Sequence, residues 1–197
     1  MILYIHVENI ETSICAILPY MRIIAGSLGG RQFKAPKGNR THPMSDKVRG
    51  ALFNSLGDLA GKRILDAFAG SGALSFEALS REAEHAVAVD NDRRAYDALK
   101  ENINLLGLHE RCHAIRANVF SWSDNNPARI FSIVIAAPPY NKLQLHIINK
   151  LTRHVEKNGL FILDWPGKKE ALELEGMELT GQKNYGDAQL LFYRREL

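Results

Sequence analysis

The chain has 197 residues, of which 46% are hydrophobic and 24% are charged, with a formal net charge of +3. This length predicts one domain with a substantial buried core, and the composition is ordinary for a globular protein. No apolar run approaches the roughly 20 residues that a membrane-spanning helix requires. The two cysteines, Cys15 and Cys112, and seven scattered histidines predict neither a disulfide framework nor a metal site, and they favour a reducing, cytoplasmic location.

Charge is distributed unevenly along the chain. Residues 1–20 carry −2, residues 21–49 carry +6 and residues 50–197 carry −1. A basic arm on a nearly neutral domain predicts a polyanionic partner, although a solvated basic tail explains the charge equally well. The first twenty residues contain acids and no Lys or Arg, which argues against a secretory signal. They are either an extension upstream of a natural start at Met21 or an extra edge strand.

Strand-like and helix-like segments alternate from residue 63 onward. Strands are predicted over 63–68, 85–90, 114–119, 131–137 and 159–165. Helices are predicted over 46–56, 73–82, 92–107 and 143–155. This alternation is typical of a parallel sheet with helices on both faces. The last two runs, 177–186 and 188–196, predict an antiparallel hairpin at one edge. We therefore expect an α/β domain over 45–197, a basic arm or small hairpin over 21–44, and an extension over 1–20.

A glycine turn follows the first buried strand of the predicted sheet. Gly70 and Gly72 stand between strand 63–68 and a helix, where a tight turn lets the backbone approach a ligand. Asp90 ends the next strand, where a carboxylate can accept hydrogen bonds from ribose hydroxyls. Asp66 is either a cap at the strand end or an acceptor for a cofactor's amino group. The third position of a dinucleotide fingerprint is Ser75, which weakens a nicotinamide interpretation.

A rigid turn, Pro138-Pro139-Tyr140, follows the apolar strand that ends near Ala137. The two prolines force an extended backbone, since proline excludes the helical region for the residue before it. Tyr140 then offers a ring suited to stacking on a planar base. A strand-ending turn with a tyrosine packed in the core remains an alternative.

These segments, DAFAGSG, VAVDND and APPY, resemble the class I S-adenosylmethionine-dependent methyltransferases. The resemblance implies a Rossmann-like, mostly parallel seven-stranded sheet with a reversed C-terminal hairpin. It also implies residues around S-adenosylmethionine, which are Asp66, Phe68, Gly70, Gly72, Asp90, Asn91, Asn118 and Val119. APPY resembles the (Asp/Asn)-Pro-Pro-(Tyr/Phe) motif, which implies a catalytic turn made of Ala137, Pro138, Pro139 and Tyr140. In that motif the acid or amide and the first proline carbonyl hold the target amine by hydrogen bonds.

The stretch MRIIAGSLGGRQFKAPKGNRTHPMSDKVRGALFNSL, together with KNYGDAQLLFYRRE, resembles the RsmD family, which methylates a guanine N2 in small-subunit ribosomal RNA. The resemblance covers residues 21–197 and implies contact with that RNA or with an assembling small subunit. We expect a monomer, because no long apolar stripe is left over. RNA contacts are expected from Arg31, Lys34, Lys37, Arg40, Ser45 and Asp46. Two positions differ from the family's Arg-Pro-Thr-Ser-Asp, because this chain has His42 and Met44.

Ala137 departs from the motif because its side chain has no hydrogen-bond acceptor. Removing one transition-state hydrogen bond commonly lowers a rate by ~10²-fold or more. A deliberate substitution, a loss of activity in the lineage, or a substitute such as Asn141 or Asp46 would each explain it. A catalytically weakened relative that still binds cofactor and RNA is thus one alternative function. A DNA adenine-N6 or protein-glutamine methyltransferase is another, and a dinucleotide-dependent oxidoreductase ranks last.

Overall fold

The computed structural model of the chain describes residues 20–36 and 44–196. Its strands are β1 Tyr20–Arg22, β2 Gln32–Lys34, β3 Arg63–Asp66, β4 His85–Asp90, β5 Cys112–Arg116, β6 Phe131–Ala136, β7 Val155–Pro166, β8 Met177–Tyr185 and β9 Ala188–Arg195. Its α-helices are α1 Asp46–Leu56, α2 Ala73–Ser80, α3 Arg93–Leu106, α4 Val119–Asn125 and α5 Leu145–Leu151. Two short 3-10 helices cover Tyr140–Lys142 and Thr152–His154. Within the described ranges, no helix has the length and apolarity needed to cross a membrane.

Seven strands form one sheet in the order β5-β4-β3-β6-β7-β9-β8. The five strands from β3 to β7 run parallel to their neighbours, whereas β9 is antiparallel to both β7 and β8. The predicted fold class, including the reversed C-terminal hairpin, is confirmed. The chain builds outward from β3 to β5 and then returns to place β6 on the other side of β3. Ligands of such sheets bind at this reversal, at the carboxyl ends of the strands.

Helices cover both faces of the sheet, because the strand side chains alternate between two apolar clusters. Residues of the arm and of α1, α2 and α3 pack on the face that carries Ile64, Ile133 and Ile162. Helices α4 and α5 pack on the opposite face, where Val134 and Leu163 are buried. Both faces of the parallel strands are therefore buried away from water, which explains why the sequences of these strands are continuous apolar runs.

Two predicted elements differ from the structure near residue 118 and residue 155. Strand β5 ends at Arg116, and Asn118 caps α4 by accepting hydrogen bonds from the amides of Phe120, at 2.9 Å, and Ser121, at 3.3 Å. The strand predicted over 114–119 therefore begins two residues late and extends three residues too far, and the short helix α4 was not predicted. The helix predicted over 143–155 is shorter, because Val155 pairs with Phe131 and already belongs to β7.

Residues 20–34, which include the first part of the basic arm, form the hairpin β1–β2, and side chains of α2 and α3 hold it on the domain. Phe33 is completely buried and meets Phe76 edge to face, with ring centroids 5.2 Å apart. The Asn102 side chain accepts from the Lys34 amide at 2.9 Å and donates to the Lys34 carbonyl at 2.8 Å. Glu77 accepts from the amide of Ile24 at 2.8 Å. The described part of the arm is therefore held by buried polar contacts as well as by apolar packing.

Gly72 is expected to be intolerant of a side chain. It caps α2 at a φ of +83°, and a Cβ there would lie 2.5 Å from Leu99 Cδ2 and 2.6 Å from Phe76 Cε2. We expect Gly72→Ala to lower the free energy of unfolding by about 3 kcal/mol, from left-handed strain and overpacking together. Gly107→Ala is the matched control, because its φ is +71° and its Cβ would meet no atom of residues 20–36 or 44–196 within 4 Å. If both variants lost the same free energy of unfolding in urea, the added methyl group at Gly72 would not be clashing with Leu99 and Phe76.

Candidate active site

The loop after β3 is fastened to both neighbouring strands. The Ala67 amide donates to the Ile135 carbonyl at 2.9 Å, and the Ala69 amide donates to the Val89 carbonyl at 3.0 Å. Gly70 has a φ of +52°, and among the described residues a Cβ added to it would meet only the Phe68 carbonyl oxygen, at 4.0 Å. The backbone of Gly70 therefore borders open space, as a loop that accommodates a ligand requires.

Asp90 holds this loop from the end of β4. One carboxylate oxygen accepts the Gly70 amide at 2.8 Å, and the other accepts the Asp92 amide at 2.8 Å. Each carboxylate oxygen has a second acceptor position, and the side chain is only partly buried. Asp90 can thus fix the glycine loop and still accept hydrogen bonds from a ribose. This arrangement fits an adenosine-containing cofactor.

Asp66 lies beneath the loop and is completely buried. Its Oδ2 accepts the Ser75 hydroxyl at 2.8 Å and the Ser75 amide at 3.2 Å, whereas Oδ1 has no hydrogen-bond partner among the described residues. Burial raises the pKa of this carboxyl to about 7. Its two hydrogen bonds hold the first turn of α2 against the end of β3. A contact with a cofactor's amino group stays a prediction.

The other predicted cofactor residues lie along the same edge of the sheet. Asn91 follows β4 and is exposed, and Phe68 is half-buried in the glycine loop. Asn118 is exposed at the end of β5, where its oxygen caps α4, and Val119 is buried. The topology therefore brings the ends of β3, β4 and β5 together, with these side chains at one edge.

The Pro138-Pro139-Tyr140 turn follows β6, the strand next to β3. Asp66 is in register with Ile135, so the glycine loop and this turn leave the sheet at neighbouring positions. The Tyr140 side chain is 39% exposed, and its hydroxyl donates to Asp164 Oδ1 and to the Trp165 carbonyl oxygen, the latter at 3.2 Å. The ring is therefore fixed at its hydroxyl end and partly open to solvent.

Asp164, near the end of β7, contacts the Pro-Pro-Tyr turn and was not among the residues that the sequence singled out. Burial raises its pKa, and the hydrogen bond from Tyr140 acts in the opposite direction. Burial and the neighbouring Asp164 likewise raise the pKa of the Tyr140 hydroxyl, which keeps it protonated as a donor. The available signal was a lone acid in an apolar strand, but only the strand order places that strand beside β6.

The predicted RNA-contact residues are only partly brought together. The Arg31 guanidinium donates to the carbonyls of Leu105, at 2.9 Å, and Leu106, at 3.2 Å, and Lys34 pairs with Glu101. Both basic residues thus contact α3. Lys37 and Arg40 lie outside the described residues.

Ser45 and Asp46 have structural contacts at the start of α1. Ser45 caps the helix by accepting the Val48 amide at 3.3 Å. Asp46 lies 2.8 Å from Arg22 Nε and 2.9 Å from Arg49, and the hydrogen bond from Arg22 is the main reason that its pKa is lowered. Across residues 20–36 and 44–196, no group of three His, Cys, Asp or Glu side chains is arranged to hold a metal.

The strand order, the glycine loop braced by an acid and the Pro-Pro-Tyr turn define a class I methyltransferase fold. A family model described as conserved hypothetical protein 95 matches residues 21–194, and the chain belongs to this family, the RsmD family. The predicted resemblance is thereby confirmed.

Individual relatives agree with this family. Bacillus subtilis YlbH is 33% identical over 89% of this chain and 99% of its own length. Ribosomal RNA small subunit methyltransferase D of Haemophilus influenzae is 30% identical over 88% of this chain and 93% of its own length. The solved structure of yhhF from Escherichia coli superposes with a TM-score of 0.79 at 30% identity, covering 90% of this chain and 99% of that one.

Proposed function

We propose that the protein transfers a methyl group from S-adenosylmethionine to the N2 amine of a guanine in small-subunit ribosomal RNA. The observation that carries this proposal is the meeting of the acid-braced glycine loop and the Pro-Pro-Tyr turn at one edge of the sheet. The RNA substrate is supported by relatives named ribosomal RNA small subunit methyltransferase D. The guanine N2 rests on the resemblance of the arm to the RsmD family.

S-adenosylmethionine is the cofactor, and when bound it supplies an electrophilic methyl group on a sulfonium. The residues present fit it. Asp90 offers acceptors for the ribose, and Gly70, which has no side chain, leaves space beside its Cα. We propose that Phe68, Gly72 and Asn91 line the rest of this part of the site. Asp66 holds the first turn of α2, which follows the loop, through Ser75.

The adenine side of the site is proposed to lie beside α4. Asn118 and Val119 stand at the end of β5, next to β4 and Asp90 in the sheet. Asn118 uses its oxygen as the helix cap, which leaves its amide nitrogen as the group that can donate to a base.

The target guanine is proposed to lie against Tyr140, with its amine near Ala137 and the carbonyl of Pro138. The guanine must first leave the stack of bases in its RNA. The exposed part of the Tyr140 ring then offers a surface on which the base can stack. The amine nitrogen forms a bond to the methyl carbon as the carbon–sulfur bond breaks with its electrons going to sulfur. The surplus proton on nitrogen then leaves to solvent.

The arm, residues 21–44, is proposed as the RNA-binding part attached to a methyltransferase domain over 45–197. Its basic residues can meet phosphates and add salt-sensitive affinity that does not depend on sequence. Arg31, Lys34, Lys37 and Arg40 are the proposed contacts, with Ser45 and Asp46 at the junction. We propose a cytoplasmic monomer acting on this RNA or on an assembling subunit.

Radiolabelled methyl transfer tests the proposal. The protein, labelled cofactor and undermethylated small subunits or their free RNA are incubated, and the RNA is digested to nucleosides. We expect label in N2-methylguanosine. Label in DNA or in protein glutamine, with the ribosomal RNA unlabelled, would contradict the proposed substrate and favour the related amine or amide methyltransferases. Tight binding of NAD without binding of S-adenosylmethionine would contradict S-adenosylmethionine as the cofactor.

A catalytically weakened relative is the second candidate function, and Ala137 is the observation that favours it. Its side chain cannot accept a hydrogen bond from the target amine. Such a protein would bind the cofactor and RNA normally but transfer no methyl group. Transfer that appears only after Ala137→Asp would support this candidate.

A further inference from the structure

Positions 137 and 164 are neighbours on one face of the sheet. Strands β6 and β7 pair in parallel, and their last registered pair is Ala136 with Leu163, so Ala137 and Asp164 come next on each strand. Ala137 packs against the same apolar cluster as Ile162, two residues before Asp164. Because side chains alternate along a strand, both positions face the same side, about 4.8 Å apart across the sheet.

The turn after β6 folds back onto this aspartate. Tyr140, three residues after Ala137, donates its hydroxyl to Asp164 Oδ1. Among the described residues, no donor contacts the second carboxylate oxygen, Oδ2, and the side chain is partly exposed. A carboxylate extends two bonds beyond its Cβ, so Oδ2 can reach the space in front of Ala137.

The other acids and amides considered for this role are less suited. Asp46 is held by Arg22 and Arg49, both within 2.9 Å of its oxygens. Asn141 is exposed in the 3-10 helix that follows the prolines. Asp164 is the candidate whose strand position adjoins residue 137.

We propose that Asp164 supplies the hydrogen-bond acceptor that Ala137 lacks, with Tyr140 holding its carboxylate toward the target amine. This inference rests on the proposed function. Oδ2 accepts one N–H of the amine and the Pro138 carbonyl accepts the other, which directs the nitrogen lone pair at the methyl carbon. Asp164 thereby takes the place of the first residue of the (Asp/Asn)-Pro-Pro-(Tyr/Phe) motif.

Steady-state methyl transfer to the RNA separates this role from a structural one. We expect Asp164→Ala to lower kcat by about 10²-fold, because one oriented acceptor is lost. Asp164→Asn is expected to stay within about tenfold of the unaltered protein. Its amide oxygen can accept from the amine while its NH2 group donates to the Tyr140 oxygen, whose hydroxyl keeps the Trp165 carbonyl as its acceptor. Asp187→Ala, which removes an exposed carboxylate, is the matched control and is expected to leave kcat unchanged. Cofactor affinity, measured by titration calorimetry, should be equal in all of them.

Rescue from the neighbouring strand is the decisive comparison. Ala137→Asp is expected to restore most of the activity of Asp164→Ala, because it returns an acceptor from β6; a protein damaged only in packing would not recover. If Asp164→Ala does not fold, Tyr140→Phe replaces it, with a loss of about tenfold that Ala137→Asp again restores.

Two results would overturn the inference while leaving the proposed function intact. One is an Asp164→Ala variant as active as Asp187→Ala. The other is activity confined to variants that carry Ala137→Asp, which would mean that nothing replaces the missing acceptor. If neither the unaltered protein nor Ala137→Asp methylates the RNA, the proposed function itself fails, and the role of Asp164 fails with it.

Discussion

Replacing Asp90 with alanine is expected to weaken binding of S-adenosylmethionine by 10²-fold or more. The substitution removes the proposed acceptor for the ribose hydroxyls. It also leaves the Gly70 amide without the carboxylate that accepts from it at 2.8 Å in the unaltered protein. Hydrogen bonds to a charged group contribute about 1.5–3 kcal/mol each, and about 1.4 kcal/mol corresponds to tenfold in affinity. Titration calorimetry with the cofactor measures the change.

Asp97→Ala is the matched control for this prediction. It removes the same charge from α3, at an exposed position whose partner is Arg93, 3.7 Å away. Its cofactor affinity should match that of the unaltered protein. An Asp90→Ala variant that binds as tightly as Asp97→Ala would show that the cofactor does not use the end of β4.

Replacing Glu77 with alanine is expected to lower the free energy of unfolding by about 3–5 kcal/mol. Its carboxylate is completely buried, accepts the amides of Ile24, at 2.8 Å, and Ala25, at 3.2 Å, and lies 2.8 Å from Arg81 Nε. Without it the buried Arg49 guanidinium, 3.9 Å away, loses a counter-charge. Urea unfolding followed by circular dichroism measures the loss.

Two variants test the origin of this effect. Glu77→Gln is expected to lose less free energy of unfolding than Glu77→Ala, because the side-chain oxygen of Gln can still accept one backbone N–H of the arm. Glu110→Ala, at an exposed position, should stay within about 0.5 kcal/mol of the unaltered protein. A Glu77→Ala midpoint equal to that of Glu110→Ala would mean that the buried carboxylate does not anchor the arm.

The order and type of most elements could be predicted, because local patterns determine them. Asp92 and Gly107 bound α3 as the sequence suggested, with the Gly107 φ at +71°, and Ser45 caps α1. The region around Asn118 was misread, since an apolar residue after a strand suits either a longer strand or a buried helix start. The outcome was decided by the Asn118 side chain, which caps α4.

The sequence by itself determined the parts of the site that are carried by contiguous residues. These parts are the turn that contains Gly70, the acid Asp90 at the end of its strand and the Pro138-Pro139-Tyr140 turn, and none of them requires the strand order. They depend on backbone geometry within a few residues, such as a positive φ or the fixed φ of proline.

Only the tertiary structure decided how distant groups combine. Strand β7 lies beside β6, which brings Asp164 next to Ala137 and to the Tyr140 hydroxyl. Glu77 likewise meets the backbone of Ile24, 53 residues away in the chain. Such pairings depend on which strands become neighbours and on how an arm docks, and a local pattern contains no record of either.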